Sequence, residues 1–284
     1  MVTSKLATGR LVLGAWAWIV VIVVLVPLGA IVVSSFTPDP VVTFPLRQLS
    51  TANWHALWQA QDAWAAVRLS ATLGVANAIL STALGTIAAY VLVRRLLPFQ
   101  TLALAALLMP LIAPGIVIGV ALLTFYREVG IQPGPLTILS GHVLLSLPFA
   151  TFVVAARLQA MDRHLEEAAS NLGAAPLRTF SQVVLPGLWP GLLGAIILSF
   201  VISFDEFVVS FFLYGTSSVT LPIWIWTSLR FGSVTGLTAA ISSLVIIGGI
   251  TLLVASAAAS RLGRRRIEPD MTIQAAERPA EIVS

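Results

Sequence analysis

Cysteine is absent from this sequence, and charged residues are scarce. Without cysteine, the 284 residues form no disulfide framework and no thiolate metal site. Only 10% of the residues are charged, whereas about 25% are charged in a soluble domain. Hydrophobic residues make up 58% of the chain, and the mean hydropathy is +0.96. This composition excludes an ordinary soluble domain and predicts a polytopic protein of a lipid bilayer.

Long apolar runs recur along the chain. A helix that crosses a bilayer needs roughly 20 apolar residues, and six segments meet that length. They are 11–35, 68–93, 101–125, 136–157, 187–213 and 237–259. The first run is too long for a secretory signal peptide and is followed by no small-residue cleavage site. The runs therefore predict an all-α membrane protein with six transmembrane helices, whose transmembrane domain covers residues 11–259.

The basic residues favour one orientation in the membrane. With the N-terminus inside, the inner segments hold Lys5, Arg10, Arg94, Arg95, Arg157, Arg163, Arg178, Arg261, Arg264, Arg265, Arg266 and Arg278. The outer segments hold only Arg47, Arg68, Arg127 and Arg230. Because positive charge stays on the cytoplasmic side, both termini are predicted to be cytoplasmic: residues 1–10, and a disordered tail at 260–284. The same topology explains the pI near 10.3 without a nucleic-acid partner.

Two of the predicted outer segments contain tryptophans. Trp54, Trp58 and Trp64 suggest a short amphipathic helix at the outer interface, where indoles favour the membrane boundary. These indoles form either an aromatic belt or part of a substrate site. Residues 214–236 are partly apolar and predict a short interfacial or re-entrant helix.

A charged stretch, EEAASNLGAAPLRTFSQVVLPGLWPG, separates the fourth and fifth apolar runs. Asp162 can cap a helix that starts at Arg163, and Gly173 is a typical helix end. Pro176 suits the first turn of a second helix, which runs through Val184. The stretch therefore predicts two short helices, about 162–185, along the inner membrane face. Their small residues would let another protein come close.

The spacing within this stretch matches a known signature. Glu167-Ala168-Ala169 is followed by Gly173, Val183 and Leu185-Pro186. This resembles the EAA signature of permease subunits of binding-protein-dependent ABC importers, with Val183 in place of the usual isoleucine. The resemblance implies the type I ABC importer permease fold (MetI-like). It also implies that this segment couples to a separate ATPase through Glu166, Glu167, Ala168, Ala169, Gly173, Leu185 and Pro186.

The resemblance also implies partners. No phosphate-binding loop of the form GxxxxGK[ST] is present, so the chain needs a separate subunit to bind ATP by that route. The chain is therefore expected to be no enzyme and to hold no cofactor, while ATP is used by the partner ATPase. The expected partners are two ATP-binding subunits, a second permease that is a paralogue, and an extracytoplasmic solute-binding protein. The expected location is the bacterial cytoplasmic membrane.

Three further stretches resemble the spermidine/putrescine-type branch of these permeases. They are LMPLIAPGIVIGVALL, LSFVISFDEFVVSFFLYG and TLPIWIWTSLRFG. Polyamine members often carry an acidic residue after the proline of the third span, but this chain has Gly115 there. The related branches for 2-aminoethylphosphonate, opines, ferric iron and sulfate therefore stay open.

Acidic residues in the fifth run suggest a path for the substrate. On a continuous helix, Ser199, Ser203, Glu206 and Ser210 fall on one stripe, with Asp205 on its shoulder. A carboxylate inside a membrane is costly and normally faces a cavity or a partner. One hypothesis is that Asp205 and Glu206 attract a cationic substrate. The alternative is a structural ion pair with Arg230 or with a partner subunit.

The remaining polar and small residues in the runs have structural explanations. Asn77 and Ser81 are expected to hydrogen-bond between helices or to line the pore. His142 is expected to be a hydrogen-bonded packing residue, because no metal-ligand spacing accompanies it. Small-residue pairs at Gly115/Gly119 and Gly187/Gly191 predict close helix crossings. A self-contained transporter would show internal repeats, and a membrane enzyme would show clustered catalytic groups; the sequence shows neither.

Overall fold

Twelve α-helices make up most of the part of the chain that the structure describes. The computed structural model describes residues 2–38, 48–94, 96–216, 218–231 and 235–265. The helices are α1 (Val2–Ser34), α2 (Ala52–Gln59), α3 (Gln61–Val93), α4 (Gln100–Ile112), α5 (Gly115–Glu128), α6 (Pro135–Gln159), α7 (His164–Asn171), α8 (Pro176–Thr179), α9 (Leu185–Asp205), α10 (Val208–Leu213), α11 (Leu221–Phe231) and α12 (Thr235–Arg265). A π-helical turn, Phe180–Val184, joins α8 to α9. Since these ranges contain no strand, the all-α prediction is confirmed.

Five of the predicted spans correspond to helices that are long and apolar enough to cross a membrane. Four are single helices: Leu13–Ser34, Gln61–Val93, Pro135–Gln159 and Pro176–Asp205. The fifth is the bent pair α4 and α5. The sixth predicted span lies in α12, where the described apolar stretch, Gly236–Thr251, is shorter than a full span. Helix α12 runs on to Arg265 and so includes residues 260–265 of the predicted tail. Residues 266–284 lie outside the described ranges, and the disorder of the tail stays a prediction.

One compact unit contains α1, α2 and α12. Helix α12 packs against both α1 and α2. The Asn53 side-chain amide donates to the carbonyls of Ser35 (3.2 Å) and Thr37 (2.8 Å), which ties α2 to the end of α1. The predicted short helix is therefore present as α2, with Trp54 and Trp58 on it. Trp64 belongs instead to α3, and the interfacial position of α2 stays a prediction.

The second unit, residues 60–231, is built on three helices that pack against one another: α3, α6 and α9. Their buried core includes Ala89, Ala150, Val154, Leu158, Leu188 and Ala195. A Cβ on Gly85 of α3 would lie 2.9 Å from both the Ala150 Cβ and the Thr151 backbone nitrogen of α6. The two helices thus cross at backbone contact. Gly191 faces the Arg157 side chain of α6 in a similarly close way, as predicted, whereas Gly187 faces the Met161 side chain just after α6.

Asn77 is the polar centre of this three-helix core. Its buried amide donates to the Ser146 hydroxyl of α6 (2.9 Å) and to the Ser199 carbonyl of α9 (2.8 Å). Its side-chain oxygen accepts from Ser81 one turn away (3.0 Å). Asn77 therefore forms the predicted hydrogen bonds between helices, and Ser81 supports it from within α3.

The third span is not straight. Helices α4 and α5 meet at an angle of 106°, so the prediction of one continuous helix over 101–125 is wrong. The cause is Pro114, because the residue before a proline is driven to extended backbone, and Ala113 has ψ 135°. Past the bend, Gly119 presses against the Phe212 ring of α10, which confirms the predicted close crossing at Gly115 and Gly119.

The fifth span is also interrupted. Helix α9 ends at Asp205, and α10 starts at Val208, so the prediction of a single helix over 187–213 is wrong. Glu206 has extended backbone, with ψ 112°. We call the segment Asp205–Phe207 the helix break. After it, the chain reaches α11, the short helix predicted within 214–236.

Candidate functional sites: the coupling segment and the helix break

Helix α7 forms as its sequence predicts. The backbone N–H of His164 donates to the Asp162 carboxylate (2.9 Å), which caps the first turn. The helix ends at Asn171, and Gly173 follows with φ +84°, a left-handed conformation that favours glycine. Pro176 then opens α8. Local capping chemistry thus sets both ends of α7 and the start of the next helix.

The second arm of this segment differs from the prediction. No break separates it from the fifth span, because α8, the π-helical turn and α9 form one helix, Pro176–Asp205. Leu185 and Pro186 lie inside that helix, where Pro186 occupies the first turn of α9. The predicted pair of short helices is therefore one short helix, α7, followed by the start of a long one. We call residues 162–185 the coupling segment.

The two glutamates of the coupling segment have different surroundings. Glu166 forms an ion pair with Arg94 at the end of α3, and the Tyr90 hydroxyl lies 3.4 Å from its other carboxylate oxygen. The Arg94 and Glu166 side chains are only 11% and 14% exposed. The Tyr90 ring also stacks edge-on against Phe180 (5.2 Å between centroids). Glu166 therefore attaches α7 to α3 within this chain.

Glu167 points outward instead. Its side chain is 54% exposed, and its ion pairs among the described residues are local, with Arg163 just before α7 (3.4 Å) and with His164 (3.3 Å). Ala168 is exposed beside it, and Ala169 is half-buried. Leu172 and Leu177 are 89% and 79% exposed. The Glu167 carboxylate and these two apolar side chains are therefore all accessible to a partner.

The predicted polar stripe does not exist as a continuous surface. Ser199, Ser203 and Ser210 are buried, and the last of them lies beyond the helix break. Ser203 and Ser210 bond to the two ring nitrogens of His142 on α6, at 2.7 and 2.8 Å. The three serines therefore pack against helices of their own unit, so this stripe is buried between helices, and its role in a substrate path stays a prediction. His142 is a hydrogen-bonded packing residue, as predicted.

Glu206 caps the helix that follows it. Its two carboxylate oxygens accept from the backbone N–H groups of Val209 (3.1 Å) and Ser210 (3.0 Å). One of them also lies 3.8 Å from His142 Nε2. Sequence reasoning found the carboxylate but missed this role, which becomes visible only when α10 is seen as a separate helix with its own N-terminus.

Asp205 is the free carboxylate of the helix break. Its side chain is exposed, and it makes no ion pair with any residue that the structure describes. Arg230, the predicted structural partner, instead lies over the Trp226 ring, 5.8 Å from its centroid. At the helix break, the Glu206 carboxylate is occupied by hydrogen bonds within the chain, whereas the Asp205 carboxylate is exposed. Across the described ranges, no group of three or more His, Asp or Glu residues is placed to hold a metal ion.

Comparison with known proteins agrees with this architecture. Residues 81–270 match the family described as "Binding-protein-dependent transport system inner membrane component". The putrescine transport system permease protein PotI of Escherichia coli K12 is 33% identical over 219 residues, which cover 72% of this chain and 75% of that protein. The spermidine/putrescine transport system permease protein PotC of the same strain is 28% identical over 250 residues, covering 87% and 93%.

Solved structures show the same fold at low sequence identity. A bacterial ABC transporter that imports the acidic polysaccharide alginate aligns with a TM-score of 0.63 and 16% identity, over 88% of this chain and 95% of that one. A bacterial alginate ABC transporter in complex with an oligosaccharide-bound periplasmic protein aligns with a TM-score of 0.65 and 13% identity, over 93% and 98%. The helical fold and the match over two thirds of the sequence lead to one conclusion: the chain belongs to the family of inner membrane components of binding-protein-dependent transport systems.

Proposed function

We propose that this chain is one permease half of an ATP-driven importer of polyamines such as putrescine and spermidine. The observation that carries the proposal is its similarity to PotI and PotC over most of their lengths. The exposed carboxylate of Asp205 at the helix break supports the same substrate class, because it can attract an ammonium group. A cation is favoured over sulfate, because sulfate would meet the carboxylate with like charge.

In this proposal the coupling segment faces the cytoplasm and docks on a separate ATPase subunit. Its exposed face offers Glu167 with Leu172 and Leu177, while Glu166 is already engaged inside the chain. Two ATPase subunits bind and use ATP, a paralogous permease forms the other half of the path, and an extracytoplasmic binding protein delivers the solute. Both termini are cytoplasmic in this arrangement.

The test of substrate class is uptake by cells that carry the complete transporter. Radiolabelled putrescine, spermidine and 2-aminoethylphosphonate are compared, with and without depletion of ATP. ATP-dependent uptake of either polyamine is the expected result. Uptake of the phosphonate alone would contradict the polyamine proposal and leave the family assignment intact.

The same assay separates the two carboxylates of the helix break. Asp205→Asn removes an exposed charge with no described partner, so we expect polyamine uptake to fall by roughly tenfold or more while assembly is unchanged. Glu206→Gln also removes a charge, but it disturbs the cap of α10 and therefore tests structure and charge together. Glu128→Gln, an exposed carboxylate at the end of α5, is the matched control. Equal uptake by the Asp205→Asn and control variants would exclude Asp205 from the cation path.

A further inference from the structure

A cavity of about 510 Å³ lies beside the first turns of α3, away from the coupling segment. Its wall includes Asp62 and Ala65 of α3 and Thr216 from the loop between α10 and α11. Helix α11 contributes Trp224, Thr227 and Ser228. Asp62 is the only charged residue among the described residues of this wall. The cavity therefore has a negative charge and several hydroxyl groups.

Trp224 holds the Asp62 carboxylate in place. The indole N–H donates to Asp62 Oδ2 (2.8 Å), and the indole itself is only 7% exposed. The Asp62 side chain is exposed, and none of the described basic residues forms an ion pair with it. A carboxylate in the first turn of a helix also stabilises the helix dipole, but that effect does not require the Trp224 bond or the cavity.

The hydroxyl of Thr227 is oriented as an acceptor. Its proton is directed to backbone carbonyls of its own helix, at Ile223 (3.0 Å) and Trp224 (2.9 Å). The oxygen therefore presents lone pairs to any other partner. An ammonium group has three donors and no acceptor, so it matches a wall of one carboxylate and a hydroxyl oxygen that accepts.

Helix α11 places this cavity near the helix break without merging the two. The backbone N–H of Leu221 donates to Ser70 of α3 (2.8 Å), which fixes α11 against α3. Trp226, two residues after Trp224, packs instead on Phe207 (5.9 Å) and Phe211 (5.3 Å). Residues two apart do not share a helix face. Asp62 and the helix break therefore lie against different sides of α11.

We propose that this cavity binds one terminal ammonium group of a linear diamine or polyamine, at a site separate from Asp205. The inference rests on the proposed function for its choice of substrate. The cation pairs with Asp62, which Trp224 orients, and donates its remaining hydrogen bonds to hydroxyl oxygens of the wall.

Because the chain has no cysteine, a single introduced thiol can report on this cavity. Ala65→Cys places the thiol on the wall, and Val129→Cys is an exposed control position outside it. The complete transporter is held in lipid nanodiscs without ATP. Labelling of this chain by cationic 2-(trimethylammonium)ethyl methanethiosulfonate and by the neutral 2-hydroxyethyl reagent is followed by mass spectrometry, with and without putrescine.

We expect saturating putrescine to slow labelling of Ala65→Cys by roughly tenfold or more, and to leave Val129→Cys unchanged. Adding Asp62→Asn should remove this protection and the preference for the cationic reagent. If that variant fails to assemble, Trp224→Phe takes its place, since it keeps the ring and loses the N–H donor, and protection should weaken.

The outcomes separate this inference from the proposed function. A transporter that imports putrescine but shows no protection of Ala65→Cys would overturn the ammonium site and leave the function standing. Protection that survives both Asp62→Asn and Trp224→Phe would also overturn it. Absence of polyamine uptake would refute the proposed function on separate grounds, because labelling needs no transport.

Discussion

Replacing Glu166 with lysine is expected to reduce uptake by more than about tenfold while the transporter still assembles. The substitution places a second cation beside Arg94, where an ion pair now attaches α7 to α3. Removing one partner of a fully buried pair costs about 3–5 kcal/mol, and less at a partly exposed pair such as this one. A loss of about 1.4 kcal/mol corresponds to about a tenfold change in rate, so we expect the loss of this attachment to reduce uptake by more than tenfold. The measurement is ATP-dependent uptake beside ATP hydrolysis by the same complex.

A charge swap distinguishes the ion pair from a general effect of the added lysine. The double variant Arg94→Glu with Glu166→Lys restores opposite charges and should recover much of the uptake. Glu128→Lys makes the same change at an exposed glutamate and should leave uptake near the unmodified level. If the double variant is as inactive as Glu166→Lys alone, the contact of Glu166 with Arg94 is not what the coupling segment requires.

Replacing Gly85 with leucine should prevent the second unit from folding stably. A Cβ at this position would already lie 2.9 Å from backbone and side-chain atoms of α6, so α3 and α6 would have to separate. Overpacking of this kind costs about 3 kcal/mol at the upper end of its usual range. The expected result is a lowered melting temperature in detergent and less protein in the membrane.

Gly248→Leu is the matched control for this substitution. It makes the same change in α12, where no atom lies within 4 Å of the added Cβ. Its melting temperature should stay close to that of the unmodified protein. A Gly85→Leu protein as stable as this control would mean that α3 and α6 do not cross at backbone contact.

Features that depend on neighbouring residues were predictable from the sequence. Asp162, Gly173 and Pro176 act within a few residues of the helix ends that they determine, so capping rules identify them. Apolar length, which is also a local property, identified five of the six predicted spans. The coupling role that the family signature around Glu167 implies stays a prediction.

Features that depend on distant residues, or on a break in periodicity, were not predictable in the same way. Arg94 and Glu166 are 72 positions apart, and nothing in their local sequences indicates that they meet. The burial of the serine stripe was not predictable, because helical spacing shows which residues share a face but not that this face packs against His142 of α6. The bend before Pro114 could have been predicted from the sequence, because a residue that precedes proline avoids helical backbone.

The single helix Pro176–Asp205 has a mechanical consequence. At 1.5 Å per residue its 30 residues span about 45 Å, with Leu177 near one end and the helix break at the other. If a helix of this length moves as a rigid body, a small displacement at one end tilts the whole helix and moves the other end. The proposed docking surface for the ATPase and the proposed substrate carboxylate therefore lie at opposite ends of one helix, so a displacement at either end would be transmitted to the other.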